Sequence, residues 1–426
     1  PVQAAVGVLG VFPDGSSSGG TSDRAGRLTE SRTERGKLPV FFKPKAKAKA
    51  KSAPSWRFCL WGLCLPAAGL LTLAARRLPG FAEGYASTVY PLLAQPLNFL
   101  TGLLPLSLME LLCGGLLLAG LVLAVRLVRI LVHTAGARAR WVRLARALAR
   151  LACAASAALL AFVLLAGINY SRSSFAALSG LPVQNSTVEE LQTLCSDLAE
   201  RADRLAAQIP AHDADGVTLT TEDGFLALAE AADEAYANAA KQYPVLGGRY
   251  GHAKPMLASF VMSRMQLTGI FFPFTMEANI NTLAPSFNVP YTIAHELAHL
   301  RGFMREDEAN YIAWVVCSAS ADVRLQYGGT LLALIHAGNA LARADASAYA
   351  ALCAAYSPQV RRDLDQNNAY WAQFDGQTLS ELSEKTNNAY LKANGQTDGT
   401  RSYGRMVDLL LAEWRAAAQA EADTEA

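Results

Sequence analysis

Three long apolar runs dominate the first 170 residues: Phe58 to Ala75, Leu111 to Val125 with its apolar flanks, and Leu151 to Ile168. Each approaches the roughly twenty residues that carry a helix across the hydrocarbon of a bilayer, and neighbouring leucines and valines extend them. The pattern predicts three transmembrane helices. Between the first two, the stretch from Tyr90 and Pro91 to Pro105-Leu106-Ser107 is half apolar and reads as an outer loop lying along the membrane surface. Glu110, at the outer end of the second run, is an ionisable group beside hydrocarbon, and placement at the interface near water accounts for it.

From about Leu178 the pattern becomes that of a soluble domain. Ser186-Thr187-Val188-Glu189 reads as a capping box that opens an amphipathic helix through Ala207, and Thr221-Glu222-Asp223 opens another that runs to Gln242. Further helices are expected near Thr330 to Ala342, Tyr349 to Tyr356 and Tyr403 to Trp414. Only Leu267 to Phe274 and Glu277 to Asn281 are β-like, and Pro273 marks an edge strand. Such a strand can pair with an extended peptide, or simply cover the neighbouring helix; both readings stay open.

Composition agrees with a membrane protein, since 52% of residues are hydrophobic and 17% charged. The net charge of +2 is uninformative, because the charges are unevenly placed. Residues 1–55 read as a disordered basic tail, with Ser/Gly-rich Gly15 to Gly20 and a Lys-Ala repeat from Lys43 to Lys51. A solvated cationic tail beside a span explains the lysines without nucleic acid. The segment between the second and third runs carries Arg126, Arg129, Arg138, Arg140, Arg143, Arg146 and Arg150 and no acid, against Arg76, Arg77 and Arg172 on the other side. Cytoplasmic loops are the cationic ones, so the N-terminus is expected inside and the domain from residue 178 outside. Four of the seven cysteines lie in the apolar runs; Cys195, Cys317 and Cys353 form no ligand-like spacing and predict neither a disulfide framework nor a thiolate zinc site.

The candidate chemistry lies in His295-Glu296-Leu297-Ala298-His299. On a helix, residues i and i+4 share a face, so both imidazoles can aim at one tetrahedral cation, with Glu296 beside them to take a proton from water. Pro290 suits the helix start and Gly302 its end. A catalytic zinc site needs a third protein ligand. Glu306-Asp307-Glu308-Ala309-Asn310 opens the next apolar run, and Glu306 and Glu308, roughly 200° apart on a helix, cannot both face the site. Glu306 is preferred and Glu308 held in reserve, with Asn310 one turn on as a support for the carboxylate or a histidine. Arg305 excludes a third histidine at metzincin spacing. His252 reads as an ordinary loop residue and His336 as a buried structural histidine. Tyr403 or Arg405, in a polar glycine-bearing loop that starts at Asn388, could stabilise an oxyanion, although an ordinary surface turn explains that loop too.

Three spans followed by Thr268 to Asn281 (TGIFFPFTMEANIN), His295 to Asn310 (HELAHLRGFMREDEAN) and Tyr390 to Arg405 (YLKANGQTDGTRSYGR) make a pattern that resembles the bacterial domain-of-unknown-function 3810 family over roughly residues 56–415. That resemblance implies a membrane zinc metallopeptidase without an assigned substrate. More remotely, Glu306 to Asn310 is similar to the E-x-x-A-D of membrane gluzincins related to the CAAX prenyl proteases, with Asn310 where those have Asp; this likeness favours Glu306 as the zinc ligand. The expected protein is therefore mainly α: a tail over 1–55, three transmembrane helices over 56–175, and a mostly helical gluzincin-like metallopeptidase domain with a small β edge over 178–426. Its expected cofactor is Zn2+, held by His295, His299 and Glu306, with Glu296 as general base and a peptide or protein as substrate. It is expected in the bacterial cytoplasmic membrane, with the lipid bilayer as partner and no nucleic acid. The alternative is a zinc-stabilised binding or sensor module without turnover.

Overall fold

The computed structural model describes residues 62–394 and 405–425, so the expected tail over 1–55 and Tyr403 lie outside the described residues. The fold is mainly helical with one small sheet. Of the first apolar run, the described part is α1 (Cys64–Arg77), only 14 residues long. Tyr90–Gly102 is not a loop but a helix, α2, despite Pro96 in its interior. Tyr90, Ala94, Asn98 and Thr101, about one turn apart, are buried, while Leu92, Phe99 and Leu100 are exposed.

Among the described residues two helices are long and apolar enough to cross a membrane, α3 (Leu108–His133) and α4 (Ala137–Leu165). At about 1.5 Å per residue, the 26 residues of α3 reach about 39 Å, more than hydrocarbon needs. Thr134 to Gly136 join them, with Gly136 at φ +83°. The arginine-rich segment expected between two spans is thus the closed end of a helical hairpin, opposite the ends that meet the remaining domain.

The hairpin passes into the C-terminal domain without a gap. Arg172, expected as a flanking charge, is buried: it pairs with Glu83 at 3.0 Å and lies 4.1 Å from the ring centre of Phe303. Phe175 donates its backbone N–H to Glu308 at 2.9 Å, and its ring packs against Tyr243, Phe303 and Tyr311.

In the domain, α5 (Val188–Ala206) opens on a capping box one residue later than expected, with Thr187 and Glu190 reciprocally bonded. Helix α6 (Phe225–Gln242) starts after Gly224 at φ +91°. A three-stranded sheet comes next, in the order β1 (Lys254–Pro255), β3 (Glu277–Ile280), β2 (Gly269–Phe272), with a short helix α7 (Ser259–Arg264) between β1 and β2. Strand β2 is the antiparallel edge, and Pro273 lies just beyond it, where it costs no ladder bond. Helices α8 (Asn288–Leu300) and α9 (Glu306–Ser318) then pack on each other, and α8 also packs on the sheet and on α10 (Val323–Ala344). Among the last helices, α11 (Ala346–Ala355), α12 (Pro358–Ala372), α13 (Thr378–Ala393) and α14 (Arg405–Glu425), α13 absorbs Asn388 to Ala393, which the sequence pattern places in a loop.

The apolar hairpin and the sheet share one buried charge cluster. Glu277 accepts from the Leu108 and Met109 backbone N–H groups at the start of α3, from Thr275 and from Lys254, the last at 2.6 Å. Lys254 also donates to the carbonyls of Thr101 and Leu106. Every one of these groups is paired, which is the condition under which a buried ion pair is tolerable.

Candidate metal centre

Helix α8 presents its two histidines one turn apart, and Gly302, at φ +87°, then reverses the chain so that α9 returns across them. Residue 302 has to be small as well as left-handed, since an added Cβ would lie 3.0 Å from the Asn169 amide and 3.2 Å from the Tyr90 ring. Tyr90 in turn donates to the Leu300 carbonyl at 3.1 Å and so braces the end of α8.

This geometry brings His295, His299 and Glu306 together, with one donor atom from each within 4.8 Å of the others. His295 Nε2 lies 3.3 Å from Glu306 Oε2 and His299 Nε2 lies 3.7 Å from Glu306 Oε1. A tetrahedral zinc with arms of about 2.0–2.1 Å has ligand-to-ligand edges of about 3.4 Å, close to the two histidine-to-carboxylate separations. His299 Nδ1 is 2.7 Å from the Phe303 carbonyl; donation there leaves the Nε2 lone pair facing inward. Asn310, one turn on from Glu306, lies near enough to His295 to favour its charged form. Glu308 does not join the cluster: it is buried against the Phe175 amide and against Arg305, 2.6 Å away.

Glu296 lies beside the cluster. Burial, with the Glu306 charge, pushes its carboxyl up to about 7, and Oε2 has no partner although it is buried; the backbone N–H of Phe271 in β2 hydrogen-bonds the same carboxylate. Burial lowers His299 to about 4, whereas His295 is raised: burial opposes its charged form, but its hydrogen bond to Glu306 and the Glu296 and Glu306 charges outweigh that. Glu306 is lowered because the two histidines overcome its burial. Strand β2 runs directly against this carboxylate. A Cβ at Gly269 would stand 2.6 Å from both Glu296 Oε1 and the Thr292 methyl, so only glycine lets the strand approach α8 this closely.

Of the other candidates, His252 pairs with Asp233 outside the cluster. His336 is lowered to about 4 by burial first and then by the positive charge of His295, which fits its structural reading. Arg405 pairs with Asp307 at 3.2 Å and is thereby tied to the start of α9. Sequence reasoning misses a tyrosine pair: Tyr170 donates to Tyr390 at 2.8 Å, and both phenols are raised by burial and, further, by the charge of Glu306. No local signal marks them, because one comes just after an apolar run and the other lies in a segment that reads as loop.

A protein-family model described as "Protein of unknown function (DUF3810)" matches residues 85–411, most of the chain. Neither a curated protein nor a solved structure matches.

Proposed function

We propose that this chain, which belongs to the DUF3810 family, is a membrane-anchored zinc-dependent peptidase of gluzincin type. The observation that carries the reading is the convergence of His295, His299 and Glu306 with a buried, half-satisfied Glu296 beside them. Two neutral imidazoles and one carboxylate are the donor set of a catalytic zinc, with a position left open. Zinc held there supplies a Lewis acid for the peptide carbonyl and brings the acidity of its water toward neutrality.

The remaining work falls to the chain itself. Glu296 takes the proton of the attacking water and returns it to the departing amine. The Phe271 N–H holds that carboxylate in place. Strand β2, an open edge beside α8, receives the substrate as a further extended strand. The Tyr390 phenol, part exposed and close enough to Glu306 to feel its charge, is a further candidate for the carbonyl-oxygen contact beside Tyr403 and Arg405. The arginine-rich closed end of the hairpin lies in the bacterial cytoplasm, which leaves the peptidase domain outside the cytoplasmic membrane.

Elemental analysis of the full-length protein in detergent tests the metal. About one zinc per chain is expected in the wild type and in Glu308→Ala, and none in Glu306→Ala. A folded wild type without zinc overturns the reading. Zinc without hydrolysis of any peptide library points instead to the binding or sensor module.

A further inference from the structure

The sheet beside the metal centre is built directly on the outer end of a membrane helix. Glu277 in β3 caps the first N–H groups of α3, and Asn279, also in β3, contacts the Met109 sulfur at 3.6 Å. Strand β2 pairs with β3, and Phe271 in β2 reaches Glu296. With neighbouring strands about 4.8 Å apart, β2 stands one such spacing beyond the strand that caps the span, and Glu296 lies against it. A second clamp fixes the surface at the same level. Glu110, in the first turn of α3, accepts from the backbone N–H groups of Leu257 and Ala258 at 3.1 and 2.6 Å. That pins the start of α7 to the hydrocarbon boundary, where Leu257, Phe260 and Val261 are 79%, 56% and 45% exposed. Leu103 and Phe99, in and after α2, expose further apolar surface on the segment to which Lys254 and Gly251 are bonded. Arg264 stacks on Phe260 at 4.5 Å, an aromatic with a cation at its side, as suits a headgroup layer.

We infer that the Leu257–Val261 surface is embedded in the outer leaflet, and that the substrates are polypeptides anchored in that same leaflet and cut a few residues above it. The occupant of the surface is lipid because the patch is bonded to a residue of the span itself, so it cannot leave the boundary without breaking the Glu110 clamp. An extended chain advances about 3.3–3.6 Å per residue, so a carboxylate one or two strand spacings from the mouth of the span reaches a bond within a few residues of the surface. The substrate class rests on the peptidase reading; the membrane placement does not.

Two measurements on the full chain in phosphatidylcholine vesicles separate them. Phe260→Trp adds fluorescence, and brominated phosphatidylcholine is expected to quench at least half of the added signal. Absence of quenching overturns the placement, and a dimer in that case assigns the patch to a second copy. For the substrate, a degenerate peptide library is attached to vesicle lipid through a spacer of about five or about forty residues, or left free. Because effective concentration falls roughly as the three-halves power of tether length, the short tether is expected to be cut at least about tenfold faster than the long one. Equal rates for all three forms overturn the substrate class while the peptidase stands. No cleavage in any form, with zinc bound, overturns the peptidase and the substrate class together and leaves the quenching result to decide the placement.

Discussion

Two buried charge clusters lie within one strand of each other, and they differ in how completely their atoms are satisfied. Around Glu277, both carboxylate oxygens receive donors from two backbone N–H groups, a hydroxyl and an ammonium. Around Glu306, among the described residues, the carboxylate meets two imidazoles, and Glu296 keeps a buried oxygen without a hydrogen-bond partner. Burial and charge are common to both, so neither marks a reactive site. The satisfied cluster has the character of architecture, joining the apolar hairpin to the sheet, whereas the other leaves polar atoms available for chemistry.

The sharpest test of that contrast is a pair of charge-removing substitutions. Glu296→Gln is expected to lower peptide hydrolysis at least about 10³-fold, toward the upper end of what a general base contributes, with zinc content and melting temperature essentially unchanged. Glu277→Gln is expected to do the reverse. Lys254 would be left buried without its counter-charge, which costs about 3–5 kcal/mol of stability, read as a large drop in melting temperature. If Glu277→Gln is silent in stability, or Glu296→Gln unfolds the protein, the assignment of roles is inverted.

The same contrast explains how much of the molecule is readable from sequence. His295, His299 and Glu306 are legible because a helical period of 3.6 and one glycine turn suffice to bring them together. The preference for Glu306 over Glu308 agrees with the geometry, where Glu308 is taken by Phe175 and Arg305. The pairing of Lys254 with Glu277 is not legible: the two-residue strand of Lys254 has no periodicity, and the backbone groups between α2 and α3 that complete the cluster are 148 to 169 residues away. Helix α2 reads as loop because Pro91 and Pro96 are breaker signals, yet one stands at the helix start and the other is tolerated inside it. The first apolar run looks like a full span, and its described helix is 14 residues long.

Gly269 couples the two clusters, since β2 touches Glu296 on one side and pairs with the strand of Glu277 on the other. Gly269→Ala forces a methyl to within 2.6 Å of Glu296 Oε1 and of the Thr292 methyl. Something has to shift, and overpacking of this kind costs about 1–3 kcal/mol. Hydrolysis is expected to fall further than that loss of stability accounts for, because the displaced group is the proposed base. An alanine variant with full activity would mean that β2 is not pressed against the working carboxylate.

The smallest effect belongs to a pair outside both clusters. Glu190, which caps α5, meets Arg415 of α14 through two 2.8 Å contacts, and that hydrogen bonding, with the Thr187 amide, lowers its carboxyl to about 2. A carboxylate whose folded value is depressed contributes stability that is fully present above its ordinary value of 4.5 and is lost as pH falls toward 2. Arg415→Gln removes most of that depression. The gap in melting temperature between parent and variant is therefore expected to be small and constant from pH 7 down to about 5, and to shrink as the pH is lowered further. A gap that instead stays constant down to pH 2 would mean that Arg415 stabilises the fold through its packing against α5 rather than through the charge of Glu190.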